Sequence, residues 1–540
     1  MKHTSYWSSE LITLLCSIFF TLACNSSFWT ELLRNKELMN VHTWFVILGT
    51  AIAITGLQWF LLLLVINRWT FKWVTICLFL ITSIAVYFMS TFHVYIDSTM
   101  ITNIMSTDYH ESREFLQWRI LPYFLLLGVL PCSIIWHIKI YKRSLISYWI
   151  GRLGTIFLSL CMVFGGGWAV FHDLGPIHRE RKEIAYLITP LNLISSSVKA
   201  YSKTRSVQAD KTKIKIGEDA YQLPRVENSK PRVMVLVVGE TVRALNWGLN
   251  GYHRQTTPEL AKRHVINFNQ VTSCGTTTAV SLPCMFSPYG IHAYDSQKIN
   301  QTESLLHLLD RTHISILWRD NQSGCKGVCD GLITEKLEID ALCKKGRCFD
   351  EILLHQLKQR IVKNKEDQLI ILHMLGNHGP AYYERYPKQF KHWQPTCETT
   401  DLSSCSQKAL INTYDNAILY TDTMLADAID LLDTIKTHDT GLIYVSDHGE
   451  SLGEHKLYLH GLPYFMAPDE QKKVPMILWM SRGLAKQLVI EEDCLRDKQS
   501  HSLSHDYLFS TLLAFFDVKT KEYNSTFDLI SSCRNLNKST

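Results

Sequence analysis

Val233-Met-Val-Leu-Val-Val238-Gly239-Glu240-Thr241 is an unbroken apolar run of strand length that ends in a carboxylate and a hydroxyl. Its β-branched content and lack of alternation suit a strand covered on both faces. Residues 314–318, 369–373, 442–445 and 474–479 read the same way. Helix-like segments at 303–310, 349–363 and 408–435 lie between them, the last with apolar residues three and four apart. Covered strands alternating with helices predict an α/β domain around a mostly parallel sheet.

Sheets of this kind bind ligands beyond the carboxyl ends of their strands. The polar residues that follow each run are therefore the ones to read for chemistry. They are Gly239-Glu240-Thr241, Arg319-Asp320-Asn321, Gly376-Asn377-His378-Gly379-Pro380 and Ser446-Asp447-His448-Gly449-Glu450. Carboxylates, imidazole and a hydroxyl together suit Zn²⁺ and, less well, Mn²⁺. Each group has a plainer reading when taken alone. Glu240 could cap a helix, Asp447-His448 could be an ordinary strand-to-loop transition, and His378 and His460 could be structural. Their joint occurrence at strand ends of one domain favours a site.

A hydroxyl cluster lies in Cys274-Gly-Thr-Thr-Thr-Ala-Val-Ser-Leu-Pro-Cys284. Threonine is a poor nucleophile unless something activates it, and metal coordination is one way. On residue chemistry alone Thr276, Thr277 and Thr278 are equal candidates, and all three could merely start a helix.

The first part of the chain is of another kind. Five apolar stretches, at roughly 11–30, 42–66, 73–95, 119–138 and 150–171, are each long enough to span a membrane, which takes about 20 residues. Asn25 and Trp29 stand where a signal peptide would have small residues, so the first stretch is read as a retained span. Lys2, then Arg68 and Lys72, then Lys139, Lys142, Arg143 and Arg152 make alternate connections basic. That pattern puts the N-terminus in the cytoplasm and everything after the fifth span outside. Residues 1–172 are thus expected to be a five-helix transmembrane domain, 173–230 a periplasmic linker whose helix is either interfacial or simply solvated, and 231–540 the exported domain. The net charge of +5 comes without a clustered basic and aromatic surface, so no nucleic-acid partner is expected.

Cysteine usage agrees with export. Five cysteines lie in the apolar spans, and the other ten all follow residue 270. An even number in an oxidising compartment reads as disulfides. Adjacent spacing pairs Cys274 with Cys284, Cys325 with Cys329, Cys343 with Cys348 and Cys397 with Cys405, leaving Cys494 with Cys533. In the outside loop before the fourth span, Asn103, Thr107 and Glu111 are spaced to share one helical face.

With these segments in view, the chain resembles the phosphoethanolamine–lipid A transferases. That family includes mobile colistin-resistance enzymes and belongs to the alkaline phosphatase/sulfatase superfamily. The resemblance is carried by Gly239-Glu240-Thr241, Cys274-Gly-Thr-Thr-Thr278-Ala, Pro283-Cys-Met-Phe-Ser287, Gly376-Asn-His378-Gly-Pro-Ala and Ser446-Asp447-His448-Gly-Glu-Ser-Leu-Gly-Glu454, and it extends over essentially the whole chain. It implies a zinc-dependent, multi-pass inner-membrane enzyme, monomeric, with its catalytic domain in the periplasm. Phosphatidylethanolamine would be the donor and lipid A the acceptor, with membrane lipids as surroundings and lowered polymyxin binding as the consequence.

Residue by residue, the resemblance makes Thr278 the nucleophile and Glu240, Asp447 and His448 the zinc ligands, with the Thr278 hydroxyl completing the set. His378 and His460 would hold the phosphoethanolamine group or a second zinc and serve as candidate proton donors. Lys326 would bind substrate, and Asn103, Thr107 and Glu111 would face the donor lipid. Transfer to a core sugar or a periplasmic glucan, a phosphatase or sulfatase, and a non-catalytic lipid-binding protein are the rival readings. A sulfatase is disfavoured because no Cys/Ser-x-Pro-x-Arg segment stands at the nucleophile position. Retention of Glu240, Thr278, Asp447 and His448 disfavours an inactive scaffold.

Overall fold

The structure is a computed structural model that describes residues 6–535, apart from 35, 107–108, 116, 142, 175–181, 210–212, 226 and 345–346. It divides into two compact units: Met1–Ile101 with Leu116–Tyr201, and Thr102–Phe115 with Ser202–Thr540.

In the first unit, α3 (Val41–Val65), α4 (Phe71–Phe92), α5 (Ile120–His137) and α6 (Leu145–Ala169) are long and apolar enough to cross a membrane. The first apolar stretch of the sequence forms two helices, α1 (Ser9–Ala23) and α2 (Ser26–Leu32), bent by 56° and making a fifth span if counted as one. The bend falls at Asn25, whose side-chain amide donates to the carbonyls of Phe20 at 2.7 Å and Thr189 at 2.9 Å. The first bond reinforces the Phe20 carbonyl, which also accepts from Cys24 N at 3.2 Å, and the second ties the bend to Thr189. Helices α3 and α6 approach closely through glycine: a Cβ on Gly166 would meet the Gly49 carbonyl oxygen at 2.8 Å. Beyond α6, residues 173–230 include a 3₁₀ turn, Lys182–Leu187, and a helix, Leu191–Ala209.

The second unit is built on an eight-stranded sheet. Its strands are β1 (Arg232–Gly239), β2 (Ile266–Thr272), β3 (Ser315–Asp320), β4 (Thr334–Glu335), β5 (Gln368–His373), β6 (Asp439–Ser446), β7 (Lys473–Met480) and β8 (Leu503–Ser504). They lie side by side in the order β8-β2-β7-β6-β1-β5-β3-β4. All run parallel except β7, which is antiparallel to both β6 and β2. Strands β1, β5 and β6 are buried along their whole length, as continuous apolar runs require in a sheet covered on both faces.

Two helices bear on the site. α7 (Thr278–Met285) begins at the threonine cluster, and α8 (Gln407–Asp433) is a long helix that Ser406 caps at its start, accepting from Ala409 N. The register sets Ser446 of β6 beside Gly239 of β1 and His373 of β5 beside Val238. The polar residues after these three strands are thereby delivered to one rim. The ten cysteines after residue 270 form the five disulfides 274–284, 325–329, 343–348, 397–405 and 494–533.

Candidate active site

Glu240, the first residue past β1, and Asp447 and His448, the first past β6, bring one potential ligand atom each to within 4.8 Å of one another. All three are fully buried. His448 Nδ1 donates to the Gly449 carbonyl at 2.9 Å, which turns Nε2 to the cluster; in the neutral ring that nitrogen carries the lone pair. Nε2 stands 3.4 Å from Glu240 Oε1, 3.4 Å from Asp447 Oδ2 and 3.4 Å from Thr278 Oγ1.

The carboxylates are held by their other contacts. Asp447 Oδ1 accepts from the backbone N–H of Thr241 at 3.2 Å and of His448 at 2.8 Å. Its Oδ2 is buried with no hydrogen-bond partner. Glu240 Oε1 accepts from Thr241 Oγ1 at 2.5 Å. Glu240 Oε2 accepts from Thr278 Oγ1 at 3.0 Å and from Gln322 Nε2 at 3.0 Å.

Two buried carboxylates this close oppose one another's ionisation. Burial and the Glu240 charge push Asp447 up. Burial acts the same way on Glu240, but His448, His378 and His460 outweigh it and hold Glu240 down. A buried cluster of two carboxylates, an imidazole nitrogen and one oxygen without a hydrogen-bond partner among the described residues fits a bound cation, which would satisfy Asp447 Oδ2 and screen the repulsion.

The structure separates the three threonines. Thr276 Oγ1 donates to the Leu462 carbonyl at 2.6 Å, and Thr277 Oγ1 is buried without a hydrogen-bond partner. Thr278 alone places its hydroxyl against Glu240 and His448. It opens α7, where the helix N-terminus favours negative charge. Ser281, one turn on, donates to the Asp447 carbonyl at 2.5 Å and ties the helix to the loop after β6.

His378 and His460 meet above this cluster. The ring centroids of His448 and His460 are 4.3 Å apart, and those of His378 and His460 are 5.7 Å apart. His460 Nδ1 lies 3.0 Å from Glu450 Oε2. Burial pushes Glu450 up to about 8 against the pull of His448, Tyr382 and His378. The His378 carbonyl accepts from Arg385 Nε at 2.6 Å.

The sulfatase family model matches residues 232–518, and the model of the phosphoethanolamine transferases EptA/EptB matches residues 54–205. The phosphoethanolamine transferase EptA of Escherichia coli strain K12 is 37% identical, with 97% of each chain aligned. The phosphatidylethanolamine transferase Mcr-1 of Escherichia coli is 35% identical over 96% of this chain and 97% of the relative. The chain belongs to the phosphoethanolamine transferase family. The structure of the integral membrane lipooligosaccharide phosphoethanolamine transferase A from Neisseria meningitidis superposes with a TM-score of 0.94 at 33% identity, covering 98% of this chain and 100% of that one. The apolar helices and this full-length likeness place the transferase in a membrane.

Other residues named from sequence lie further out in the transferase. Lys326, in the left-handed backbone region at φ 50°, donates from Nζ to Ser323 Oγ at 2.7 Å and to the Ser323 carbonyl at 3.1 Å. It lines a small cavity with Lys213, Ser287, Glu303, Ser304 and Asp330. Asn103 sits on the helix Ser98–Ser106. Thr107 lies outside the described residues, and Glu111 has its backbone in the helix Tyr109–Glu114 with its side chain outside them.

Four positions were not singled out from sequence. Gln322 bonds Glu240. Glu450 and Tyr382 back His460, Tyr382 Oη donating to Glu450 Oε1 at 2.8 Å. His505 accepts from Cys274 N at 3.1 Å on Nδ1 and donates from Nε2 to the Ser446 carbonyl at 3.0 Å. It thereby joins the threonine loop to the end of β6. The contacts of Gln322, Tyr382 and His505 leave no local sequence signal because they join distant parts of the chain; Glu450 and His460 are ten residues apart, without a helical or strand spacing that would pair them.

Proposed function

We propose that this transferase moves phosphoethanolamine from phosphatidylethanolamine to a phosphate of lipid A, as a monomer in the inner membrane with its catalytic domain in the periplasm. The reading is carried by the Thr278 hydroxyl, set against Glu240 and His448, whereas Thr276 donates to the Leu462 carbonyl and Thr277 makes no hydrogen bond with either residue through its hydroxyl. It is supported by full-length relatives named for phosphoethanolamine and phosphatidylethanolamine transfer, EptA and Mcr-1 of Escherichia coli.

Glu240, Asp447, His448 and Thr278 would hold zinc. Ligands about 2.0 Å from a tetrahedral zinc stand roughly 3.3 Å from one another, and His448 Nε2 lies 3.4 Å from each of the other three donors. When bound, the ion supplies positive charge that favours the alkoxide form of the hydroxyl and offsets charge on the phosphoryl oxygens.

Thr278 Oγ1 attacks the phosphorus of the donor lipid in line with the diacylglycerol oxygen. The new bond joins phosphorus to Thr278, and the bond to diacylglycerol breaks. The hydroxyl proton has Glu240 Oε2 as its acceptor in this geometry. His378 and His460, whose rings lie 5.7 Å apart, would bind the phosphoethanolamine group and give the departing alkoxide its proton. A lipid A phosphate oxygen then attacks the same phosphorus, and Thr278 regains its hydroxyl. Lys326 would meet acceptor or donor phosphate, and Asn103, Thr107 and Glu111 the donor headgroup. Each group transferred brings an ammonium to lipid A, which weakens attraction for cationic polymyxins.

Mass spectrometry of lipid A from cells expressing the chain tests this reading. The expected result is an increment of one phosphoethanolamine on lipid A that is absent with Thr278→Ala. An increment found only on core sugar or glucan would refute the acceptor assignment. No increment with any acceptor would refute the activity.

A further inference from the structure

Glu450 has no part in the reaction as written above, yet it is wholly buried beside it. Its two carboxylate oxygens have different partners. Tyr382 Oη donates to Oε1 at 2.8 Å, and His460 Nδ1 lies 3.0 Å from Oε2. The backbone that carries it is fixed as well. Its N–H donates to the Glu470 carbonyl at 2.7 Å, and its own carbonyl accepts from Arg243 Nη1 at 3.2 Å. Tyr382 follows His378 on the same loop, and its ring meets that of Tyr414 edge-on at 5.6 Å. The series Tyr382–Glu450–His460 is thus anchored at its middle and at its phenol end.

A carboxyl group with one oxygen held by a phenol turns the other toward an imidazole in a defined direction. The Glu450 contact engages Nδ1 of His460 and so sets the direction in which its ring points. The His460 side chain is 11% exposed, whereas His448 beneath it is closed off. We infer that Glu450, braced by Tyr382, is a positioning residue that fixes the ring orientation of His460 toward the phosphoryl group or the departing alkoxide. The inference rests on the assignment of His460 to substrate handling made above. Second partners of this kind usually matter to activity by about 10- to 100-fold in the better-known case of metal-bound histidine.

The test uses the full-length enzyme in vesicles containing phosphatidylethanolamine. It measures the rate of adduct formation on Thr278 against donor content for wild type, Glu450→Gln, His460→Ala and the double variant. Glu450→Gln keeps the side-chain volume and an acceptor for Tyr382 but removes the carboxylate from His460. The expected result is a fall in kcat of about 10- to 100-fold with KM changed by no more than about twofold. If Glu450 acts through His460, the double variant is no slower than His460→Ala alone. Wild-type kcat in Glu450→Gln, or losses that multiply in the double variant, would overturn the inference. Should Glu450→Gln fail to fold, Tyr382→Phe replaces it, with an expected loss of about 3- to 10-fold and the same lack of additivity. A loss that multiplies with His460→Ala there overturns the inference equally. Failure of wild type to form any adduct would be a different result, since it removes the Thr278 reading itself.

Discussion

The Thr278 hydroxyl lies 3.0 Å from Glu240 Oε2 although the two residues belong to separate loops, one after β1 and one opening α7. This contact joins a nucleophile-type side chain to a carboxylate whose neighbours are Asp447 and His448. Most of what can be tested follows from how that contact is held and what charge it faces.

The donor set should bind one zinc ion per chain in the purified full-length protein, measured by elemental mass spectrometry. Glu240→Gln and Asp447→Asn should each abolish that binding and lower transfer by at least about 100-fold. Chelation should also lower Tm, because a ligand bound to the folded state alone stabilises it. Full metal content in both variants would remove these residues from the site.

The Cys274–Cys284 disulfide closes a loop with a sequence separation of 10. On the chain-entropy model, opening a loop of that length costs about 2.7 kcal/mol. The paired substitution Cys274→Ser, Cys284→Ser should therefore lower the free energy of unfolding of the folded enzyme by about that much in denaturant titration. Activity should fall further than stability alone explains, because α7 carries Thr278 at its first turn.

Five strands were legible because each is a continuous apolar run with a polar residue at its end. β2 was not: Asn267, Asn269 and Gln270 interrupt it, and only part of it is buried. The reversal of β7 was equally invisible, since a strand covered on both faces has the same composition in either direction. The first apolar stretch reads as one span, and only the side-chain bonds of Asn25 show why it bends there. At the site, Glu240, Asp447 and His448 were readable from strand ends. The choice among three threonines needed resemblance or coordinates, because their chemistry is identical. Gln322, Glu450 and His505 stayed hidden because their roles are set by contacts across the fold.

Burial holds His505 down at about 3, so the folded protein keeps it neutral over most of the acid range. An unfolded histidine binds its proton below about pH 6.5. Between those two values the unfolded state binds more protons, so this residue's contribution is full above about pH 6.5 and is lost as pH falls toward 3. His505→Gln should start less stable at pH 8 by about 1–2 kcal/mol and lose stability less steeply on acidification. Thermal melts across that range check it, and parallel slopes for the two proteins would contradict it.

Glu114 pairs with Arg385 at 2.6 Å and with Arg347 at 3.1 Å, all within the second unit. Arg385 has no exposed side-chain surface and also holds the His378 carbonyl. Removing one partner of a buried pair leaves an uncompensated charge, at a cost of about 3 kcal/mol. Glu114→Ala should therefore destabilise this unit by about that amount in denaturant titration, and Glu114→Asp by less. Unchanged stability in Glu114→Ala would mean the pair is screened by solvent.

The most direct test of the central claim is to incubate full-length enzyme with phosphatidylethanolamine, withhold lipid A, and locate any covalent mass by peptide mapping. The account predicts one phosphoethanolamine on the peptide containing Thr278, assigned by fragmentation to that residue. Thr276→Ala and Thr277→Ala should keep it, and Thr278→Ala should lose it along with transfer, by at least about 10³-fold. A modified Thr276 or Thr277, or full transfer by Thr278→Ala, would contradict the account.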